Sequence, residues 1–183
     1  MSDGSNPPVE TVWQGKWITA KRRGRWEYVS RARNIRAAVI LAIENGHVLL
    51  VEQFRVPLGK PCLELPAGLI GDAAGAEKED PMLAAGRELI EETGWQASTL
   101  EDCGEFYSSP GMVSESFTLV RASGLQKIGP GGGVDGENIT TWRVPVTDIA
   151  NFVATRRAEG VGIDVKLLLL LAPYIAGADA ARD

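Results

Sequence analysis

The chain has 183 residues, 44% of them hydrophobic, which is enough to bury one sizeable core and too few for two ordinary domains. Its formal net charge of −5 argues against broad nucleic-acid binding, which requires a basic face. Its two cysteines, Cys62 and Cys103, lack metal-site spacing, so we expect neither a disulfide scaffold nor a zinc site, and a reducing compartment is the default.

We expect a cytoplasmic protein without a membrane partner. Residues 1–8 are polar rather than basic and then apolar, so no secretory signal is visible. The apolar run from Leu167 to Leu171 is far shorter than the roughly 18 residues needed to span a bilayer.

Strands and helices interleave along the chain, which predicts one sheet covered on both faces. Apolar or alternating stretches predict strands at residues 12–20, 26–33, 37–43, 47–53, 105–107, 117–122 and 139–144. Helices are predicted at residues 146–157 and 164–176, the second interrupted by Pro173. Asn45-Gly46 is a strong hairpin signal, and the basic cluster Lys21 to Arg25 is predicted to be the solvated tip of another hairpin.

A further helix is predicted between residues 80 and 94. Asp80 is a capping carboxylate, Pro81 suits the first helical position, and Gly94 supplies a left-handed residue to end the helix. Leu89 and Ile90 belong to an apolar side that anchors it.

Three carboxylates, Glu88, Glu91 and Glu92, converge on one stripe of this helix, because residues three and four apart are neighbours. Like charges repel, so the stripe is either fully solvated, as most Glu-rich stretches are, or neutralised by hard cations. Carboxylate oxygens suit Mg²⁺ or Mn²⁺, and Arg87 can pair with Glu91 and fix its direction. We interpret the stripe as a divalent-metal site for phosphate chemistry.

This segment resembles the Nudix box of diphosphate hydrolases; the matching residues are Glu79, Arg87, Glu88, Leu89, Glu91, Glu92, Gly94 and Trp95. Residues 69–78 separate Gly68 from Glu79, which is longer than the family spacing and is interpreted as a five-residue insertion in the loop before the helix.

The resemblance implies an α+β fold, a Nudix-type α/β/α sandwich with a central mixed sheet, plus a small N-terminal antiparallel β hairpin or sheet. It divides the chain into an N-terminal β segment, residues 1–34, and a Nudix hydrolase domain, residues 35–183. Members of the group exchange their N-terminal sheets in a homodimer. Because two strands with two tryptophans cannot form a stable core alone, we expect a homodimer here.

From about Trp17 to the last helix, the chain resembles ADP-ribose and related nucleoside-diphosphate-sugar pyrophosphatases. The matching segments are residues 26–31, 51–55, 62–68, 109–111 with Glu115, and 135–137. Pro110 stands where the family carries its marker for ADP-ribose cleavage. The resemblance implies substrate contacts from Trp17, Trp26, Glu27, Arg31, Arg55, Glu64 and Glu115.

Several of these side chains have suitable chemistry. Trp17 and Trp26 can stack on the two faces of a purine, and Glu27 can accept from its exocyclic amine. Arg31 and Arg55 can each fork onto phosphate oxygens. The alternatives are packing roles for the tryptophans and surface salt bridges for the arginines.

Glu137 lies just beyond the Gly-Pro-rich loop from Gly129 to Gly136. A mobile loop can bring this acid over a bound diphosphate to complete a metal shell and orient water; the alternative is an ordinary turn residue. The loop lacks the Lys-Ser/Thr of a P-loop and is interpreted as a flexible tether.

The implied activity is Mg-dependent hydrolysis of the diphosphate bond of ADP-ribose, or of a related nucleoside diphosphate sugar, to AMP and ribose 5-phosphate. The resemblance assigns Mg²⁺ (or Mn²⁺) to Glu88, Glu92, Glu137 and the backbone carbonyl of Ala67, and catalysis to Glu91, Glu92 and Glu137. The base is either Glu137 or a helix glutamate. Two alternatives stay open: a pyrophosphatase for GDP-mannose or another nucleotide sugar, and a non-catalytic nucleotide-sugar sensor.

Overall fold

The computed structural model describes residues 7–32, 35–71, 79–134 and 136–177. Among these residues the chain forms a three-stranded sheet, an eight-stranded sheet and three α-helices: α1 (Pro81–Thr93), α2 (Ile149–Ala158) and α3 (Leu168–Ile175). Residues 72–78, in the loop that carries the predicted five-residue insertion, lie outside the described residues. No helix of the described part is long and apolar enough to cross a bilayer.

The small N-terminal sheet is antiparallel, with the strands β1 (Val9–Gln14), β2 (Ile18–Arg23) and β3 (Trp26–Arg31) in sequence order. Its second hairpin confirms the basic tip, since Arg23 pairs with Trp26 across the turn. The single strand predicted at residues 12–20 is wrong, because the chain turns where the Gly15 N–H donates to the Ile18 carbonyl at 2.9 Å.

The main sheet has eight strands among the described residues: β4 (Arg36–Glu44), β5 (His47–Arg55), β6 (Lys60–Glu64), β7 (Ala67–Ile70), β8 (Trp95–Tyr107), β9 (Ser116–Lys127), β10 (Thr140–Pro145) and β11 (Gly162–Ile163). Their order is β11-β6-β5-β4-β9-β8, with β7 also paired to β4 and β10 to β5. The sheet is mixed, because β4 runs parallel to β9 and β11 parallel to β6 while the other pairs are antiparallel.

Alternate residues of β4 face two different cores, as the period of two in a strand requires. Ala38 and Ile40 pack in one buried cluster with Leu89 of α1. Val39, between them, belongs to the other cluster, with Ile149 of α2 and buried leucines around α3. Helices therefore cover both faces of the main sheet, which confirms the α/β/α sandwich.

The predicted start and end of α1 are confirmed. Asp80 accepts a hydrogen bond from the Met82 amide at 2.7 Å, Pro81 opens the helix, and Gly94 ends it with φ at 70°. The other two helices each begin with a short 3-10 turn, at Val146–Asp148 and Val165–Leu167.

Two boundaries differ from the prediction. Pro173 lies inside α3 without interrupting it, since the helix continues to Ile175 at the expense of one backbone hydrogen bond. Strand β8 begins at Trp95 instead of residue 105, directly after Gly94. Most of β8 is solvent-exposed at the sheet edge, so it lacks the apolar alternation that marks a half-buried strand.

Candidate active site

A cleft of about 380 Å³ lies between the carboxylate face of α1, the ends of β3 and β5, and the segment before α3. Eight of the predicted site residues line it: Arg31, Arg55, Glu64, Ala67, Glu88, Glu92, Glu115 and Glu137. These come from segments far apart in sequence, so the fold itself assembles the cleft.

Glu92 forms the most buried acidic part of the cleft, with 4% of its surface exposed. Its Oε2 accepts a hydrogen bond from the Ala67 backbone N–H at 3.0 Å. Burial raises the pKa of Glu92 to about 8, and this hydrogen bond opposes the rise without cancelling it.

Glu88 lies directly against the backbone of Gly68. A Cβ at position 68 would fall 1.9 Å from the Glu88 Cδ, so only glycine leaves room for this carboxylate. Burial is the largest cause that raises the pKa of Glu88 to about 7; the Arg87 charge opposes it, and the Glu91 charge adds to it.

The acidic side of the cleft fits a divalent cation. Burial is the main cause of the raised pKa values of Glu88 and Glu92, and the charge of Glu137 adds to both, so these acids lie close together without enough cationic charge to stabilise their ionised forms. In the described part of the chain, no group of three or more His, Cys, Asp or Glu side chains is arranged so that it could hold a metal ion by itself. This arrangement suits Mg²⁺, which is usually held by one or two carboxylates together with water and substrate phosphates.

The cationic side of the cleft is organised by ion pairs. Arg55 donates to both carboxylate oxygens of Glu64, at 2.5 and 2.7 Å, and this hydrogen bonding is the largest cause that raises its pKa. Arg31 donates a single hydrogen bond, from its Nε, to Glu115 Oε1. Each guanidinium is held in one direction by a carboxylate, while its remaining N–H groups stay available for an anion.

Three polar residues that line the cleft are not among the predicted site residues: Gln53, Ser108 and Lys166. Gln53 lies two residues before Arg55 on β5, so strand alternation predicts that both face the same way. Lys166 lines the cleft from the 3-10 turn before α3, and its Nζ lies 2.8 Å from Asp164 Oδ2 and 5.7 Å from the Phe117 ring centroid. No local pattern could have revealed Lys166, because only the fold brings it to the cleft.

Glu91 and Glu79 are not among the residues that line the cleft. Arg87 contacts Glu91 at 3.0 Å, as predicted, and also Glu88 at 2.9 Å and Glu79 at 3.7 Å. Burial lowers the pKa of Arg87, but the charges of these three acids outweigh it and the pKa is raised. Glu79 also accepts from the Gly71 N–H at 3.0 Å, so it joins the residue after β7 to the residues just before the helix.

The predicted aromatic pair is not brought together within one chain. Trp26 is the first residue of β3. The backbone carbonyl of Trp17 accepts a hydrogen bond from the backbone amide of Ala32, which follows the last residue of β3. Six residues of strand separate the two positions by about 20 Å. Trp26 lines a separate apolar pocket of about 390 Å³ with Tyr28 and Tyr107.

Glu27 also lies away from the cleft. It follows Trp26 on β3 and therefore points to the opposite face of the N-terminal sheet, where it lines a third pocket with Val12 and Met112. A single chain thus places the predicted phosphate contacts Arg31 and Arg55 in the cleft and the predicted base contacts Trp26 and Glu27 in other pockets.

The Gly-Pro-rich loop is tied to the protein, in contrast to the predicted free tether. The amides of Gly132 and Gly133 donate to the carbonyls of Glu92 and Glu91 at 2.8 and 3.0 Å. The Val134 amide donates to Glu137 Oε2 at 3.0 Å, so the loop also holds its own acidic side chain.

Comparisons with known proteins agree with this geometry. The NUDIX domain family matches residues 33–161. An uncharacterized Nudix hydrolase of Schizosaccharomyces pombe is 31% identical over 194 residues, covering 91% of this chain and 92% of its own. The crystal structure of an ADP compounds hydrolase, 24% identical, has the same fold with a TM-score of 0.68 over 95% of both chains.

The relatives with named activities include pyrophosphatases for ADP-ribose and for GDP-mannose. The ADP-ribose pyrophosphatase of Mycobacterium tuberculosis is 37% identical over 117 residues, which is 63% of this chain and 55% of its own. The GDP-mannose pyrophosphatase of Cronobacter sakazakii is 35% identical over 144 residues, which is 74% of this chain and 70% of its own.

The fold and the cleft define a hydrolase that acts on phosphorus-containing anhydrides. The chain belongs to the Nudix hydrolase family, in the group similar to ADP-ribose pyrophosphatases. Nudix hydrolases generally need a divalent metal, usually Mg²⁺.

Proposed function

We propose that this enzyme hydrolyses the diphosphate bond of ADP-ribose or a related nucleoside diphosphate sugar, with Mg²⁺ or Mn²⁺, and that ADP-ribose yields AMP and ribose 5-phosphate. One observation carries the proposal. A single cleft combines the carboxylates of Glu88, Glu92 and Glu137 with the guanidinium groups of Arg31 and Arg55. A diphosphate needs both kinds of group, because cations must neutralise its oxygens while a base activates water.

In this proposal the residues hold the metal, contact the phosphoryl oxygens or accept the proton of the attacking water. Glu88 and Glu92, with the backbone carbonyl of Ala67 and Glu137, would hold the metal, which would neutralise phosphate charge and lower the pKa of a bound water. Arg55, directed by Glu64, would donate to phosphoryl oxygens as their charge increases.

The attacking water would lose its proton to Glu137 or to a helix glutamate. Glu137 lines the cleft, whereas Glu91, the helix glutamate outside the proposed metal ligands, does not. Glu91 would act through Arg87, with which it pairs, and support the direction of Glu88.

A second candidate substrate is GDP-mannose. Its support is the alignment with the C. sakazakii GDP-mannose pyrophosphatase, which covers more of both chains than the alignment with the M. tuberculosis ADP-ribose pyrophosphatase does. The same residues would act on either diphosphate, since the nucleobase of the substrate would bind outside the phosphate-binding residues.

A homodimer is part of the proposal. Trp17 and Trp26 are 51% and 58% exposed and lie at opposite ends of the N-terminal sheet, so one chain cannot hold a purine between them. Exchange of N-terminal sheets would bring an aromatic residue of one protomer to the cleft of its partner. Sedimentation of a fully active monomer would contradict this assembly.

The function is tested by incubating the protein with Mg²⁺ and ADP-ribose, GDP-mannose, NADH or diadenosine polyphosphates and assaying nucleoside monophosphate. We expect AMP from ADP-ribose at the highest kcat/KM. Preferred release of GMP from GDP-mannose would favour the second candidate, and no hydrolysis of any compound would contradict the proposal and favour a sensor.

A further inference from the structure

The C-terminal end of α1 is capped by one continuous segment of chain. A helix normally leaves its last carbonyls without helical partners. Here the carbonyls of residues 91–94 all accept hydrogen bonds, at 2.7–3.1 Å, from residues 127–141. The Glu91 carbonyl accepts from Gly133 N, and the Glu92 carbonyl accepts from Gly132 N and Thr141 Oγ1. The Thr93 carbonyl accepts from Lys127 Nζ, and the Gly94 carbonyl accepts from Ile128 N and Gly129 N.

The two elements approach so closely that side chains are excluded between them. A Cβ at Gly94 would lie 2.1 Å from the Gly129 carbonyl oxygen, and a Cβ at Gly131 would lie 2.4 Å from the Thr93 carbonyl carbon. Both glycines also have positive φ, 70° and 73°, which other residues adopt only with strain.

The same segment positions Glu137. Within the loop, the Ile139 amide donates to the Gly132 carbonyl at 3.0 Å, and the Val134 amide donates to Glu137 Oε2 at the same distance. Gly132 in turn donates to the Glu92 carbonyl. A short chain of hydrogen bonds therefore connects the helix that carries Glu92 to the loop that carries Glu137.

Lys127 joins the two elements with one side chain. Its Nζ donates to the Thr93 carbonyl at 2.7 Å and to the Pro130 carbonyl at 3.2 Å. A cation beside the last carbonyls of a helix is also favoured by the helix dipole. Lys127 is not among the residues that line the cleft.

We propose that Lys127, with the contact glycines Gly94 and Gly131, forms a clamp that sets the position of Glu137 relative to Glu88 and Glu92. Lys127 is a positioning residue for the metal site, so this inference rests on the proposed function of that site. Because the clamp holds the first residues of the loop against the end of α1, loss of the clamp would leave the carboxylates present but displaced from one another.

The test compares Lys127→Met, which keeps the side-chain stem and loses the donors, with Lys127→Arg, which keeps a cation and donors. Two readouts need no substrate: amide hydrogen exchange at Gly132 and Gly133 in the metal-free protein, and Mn²⁺ affinity. We expect faster exchange and about tenfold weaker Mn²⁺ binding for Lys127→Met, the size typical when a residue that supports metal ligands is lost, and near-normal values for Lys127→Arg. With an active substrate, kcat should fall more than KM rises.

Ile149→Val is the control for simple destabilisation, because Ile149 is fully buried on the other face of the sheet. It should lower Tm without changing Mn²⁺ affinity. The clamp is refuted if Lys127→Met leaves both the amide exchange and the Mn²⁺ affinity unchanged, or if Ile149→Val weakens Mn²⁺ binding equally. A protein that hydrolyses no nucleotide sugar but gives the expected exchange and Mn²⁺ results would retain the clamp and lose only the proposed function.

Discussion

The Oε2 atom of Glu92 accepts a hydrogen bond from the backbone amide of Ala67, 25 residues earlier in the chain, at 3.0 Å. This contact fixes the carboxylate helix against the start of β7, and it holds a nearly buried acid beside the backbone that the proposed metal site uses. The hydrogen bond needs only an acceptor oxygen, so an amide at position 92 would retain it while losing the charge.

We therefore predict that Glu92→Gln keeps the fold and loses catalysis. A glutamine cannot supply the negative charge that a divalent cation requires, so kcat should fall by about 100-fold or more. The measurement is kcat at saturating Mg²⁺, with circular dichroism to verify the fold. Glu101→Gln is a matched control, because Glu101 is an exposed acid paired with Arg121 at the edge of the sheet. Equal activity of wild type and Glu92→Gln would refute the site.

The stability of the metal-free protein should decrease as pH rises from about 5 to about 9. The pKa values of Glu88 and Glu92 rise in the folded state from 4.5 to about 7 and about 8, mainly through burial. The protonated acids therefore favour the folded state, and their contribution is complete below the unfolded pKa and is lost as pH passes through 7 and 8. The loss should be several kcal/mol, because one pKa unit corresponds to about 1.4 kcal/mol and the pKa values of both acids are raised by more than two units.

This prediction is checked by Tm measurements with a chelator across that pH range. Glu92→Gln should match wild type near pH 5 and exceed it near pH 9, because its amide cannot ionise. Added Mg²⁺ should recover part of the wild-type loss at high pH. Parallel Tm curves for the two proteins would contradict the assignment of raised pKa values to this cluster.

The Arg55 and Glu64 pair should separate stability from function. Arg55→Met leaves the nearly buried Glu64 without its cation, which should cost about 2 kcal/mol, a low value because the Arg55 side chain is 41% exposed. Adding Glu64→Met removes the buried charge and should restore most of the stability. The kcat should be low in both the single and the double variant, because Arg55 is proposed to donate to the phosphoryl group. Recovery of activity in the double variant would restrict Arg55 to a structural role.

Local features of the fold were predictable from the sequence, because they depend on residues close in the chain. The cap at Asp80, the ending at Gly94 and the Asn45-Gly46 turn, with φ of 49° and 70°, all follow from short-range conformational preferences. The exposed edge strand β8 was largely missed because it has no apolar alternation to reveal it.

The site was only partly predictable. The stripe of Glu88 and Glu92 follows from helical periodicity, but the partner of Arg31 is Glu115, 84 residues away, and no spacing rule connects them. The same limit applies to the loop: its glycines signalled flexibility in the sequence, whereas Gly131 instead permits close packing on α1. Contacts between distant segments decide these roles, so they require the folded structure.

Lys166 provides the last prediction, because it lines the cleft without any signal in the sequence. Its side chain is 16% exposed, and Asp164 holds its ammonium at 2.8 Å, so the cation is fixed beside the proposed diphosphate site. Lys166→Met should remove one charge from the phosphate-binding side and raise KM about tenfold, while the carboxylates and kcat at saturating substrate change little. Lys166→Arg should retain part of the affinity, and Lys21→Met, on the N-terminal sheet, is a lysine control outside the cleft. The measurement is kcat and KM for each variant with the best substrate of the panel. An unchanged KM in Lys166→Met would exclude a phosphate contact, since a fixed cation that touches the substrate cannot be removed without loss of binding.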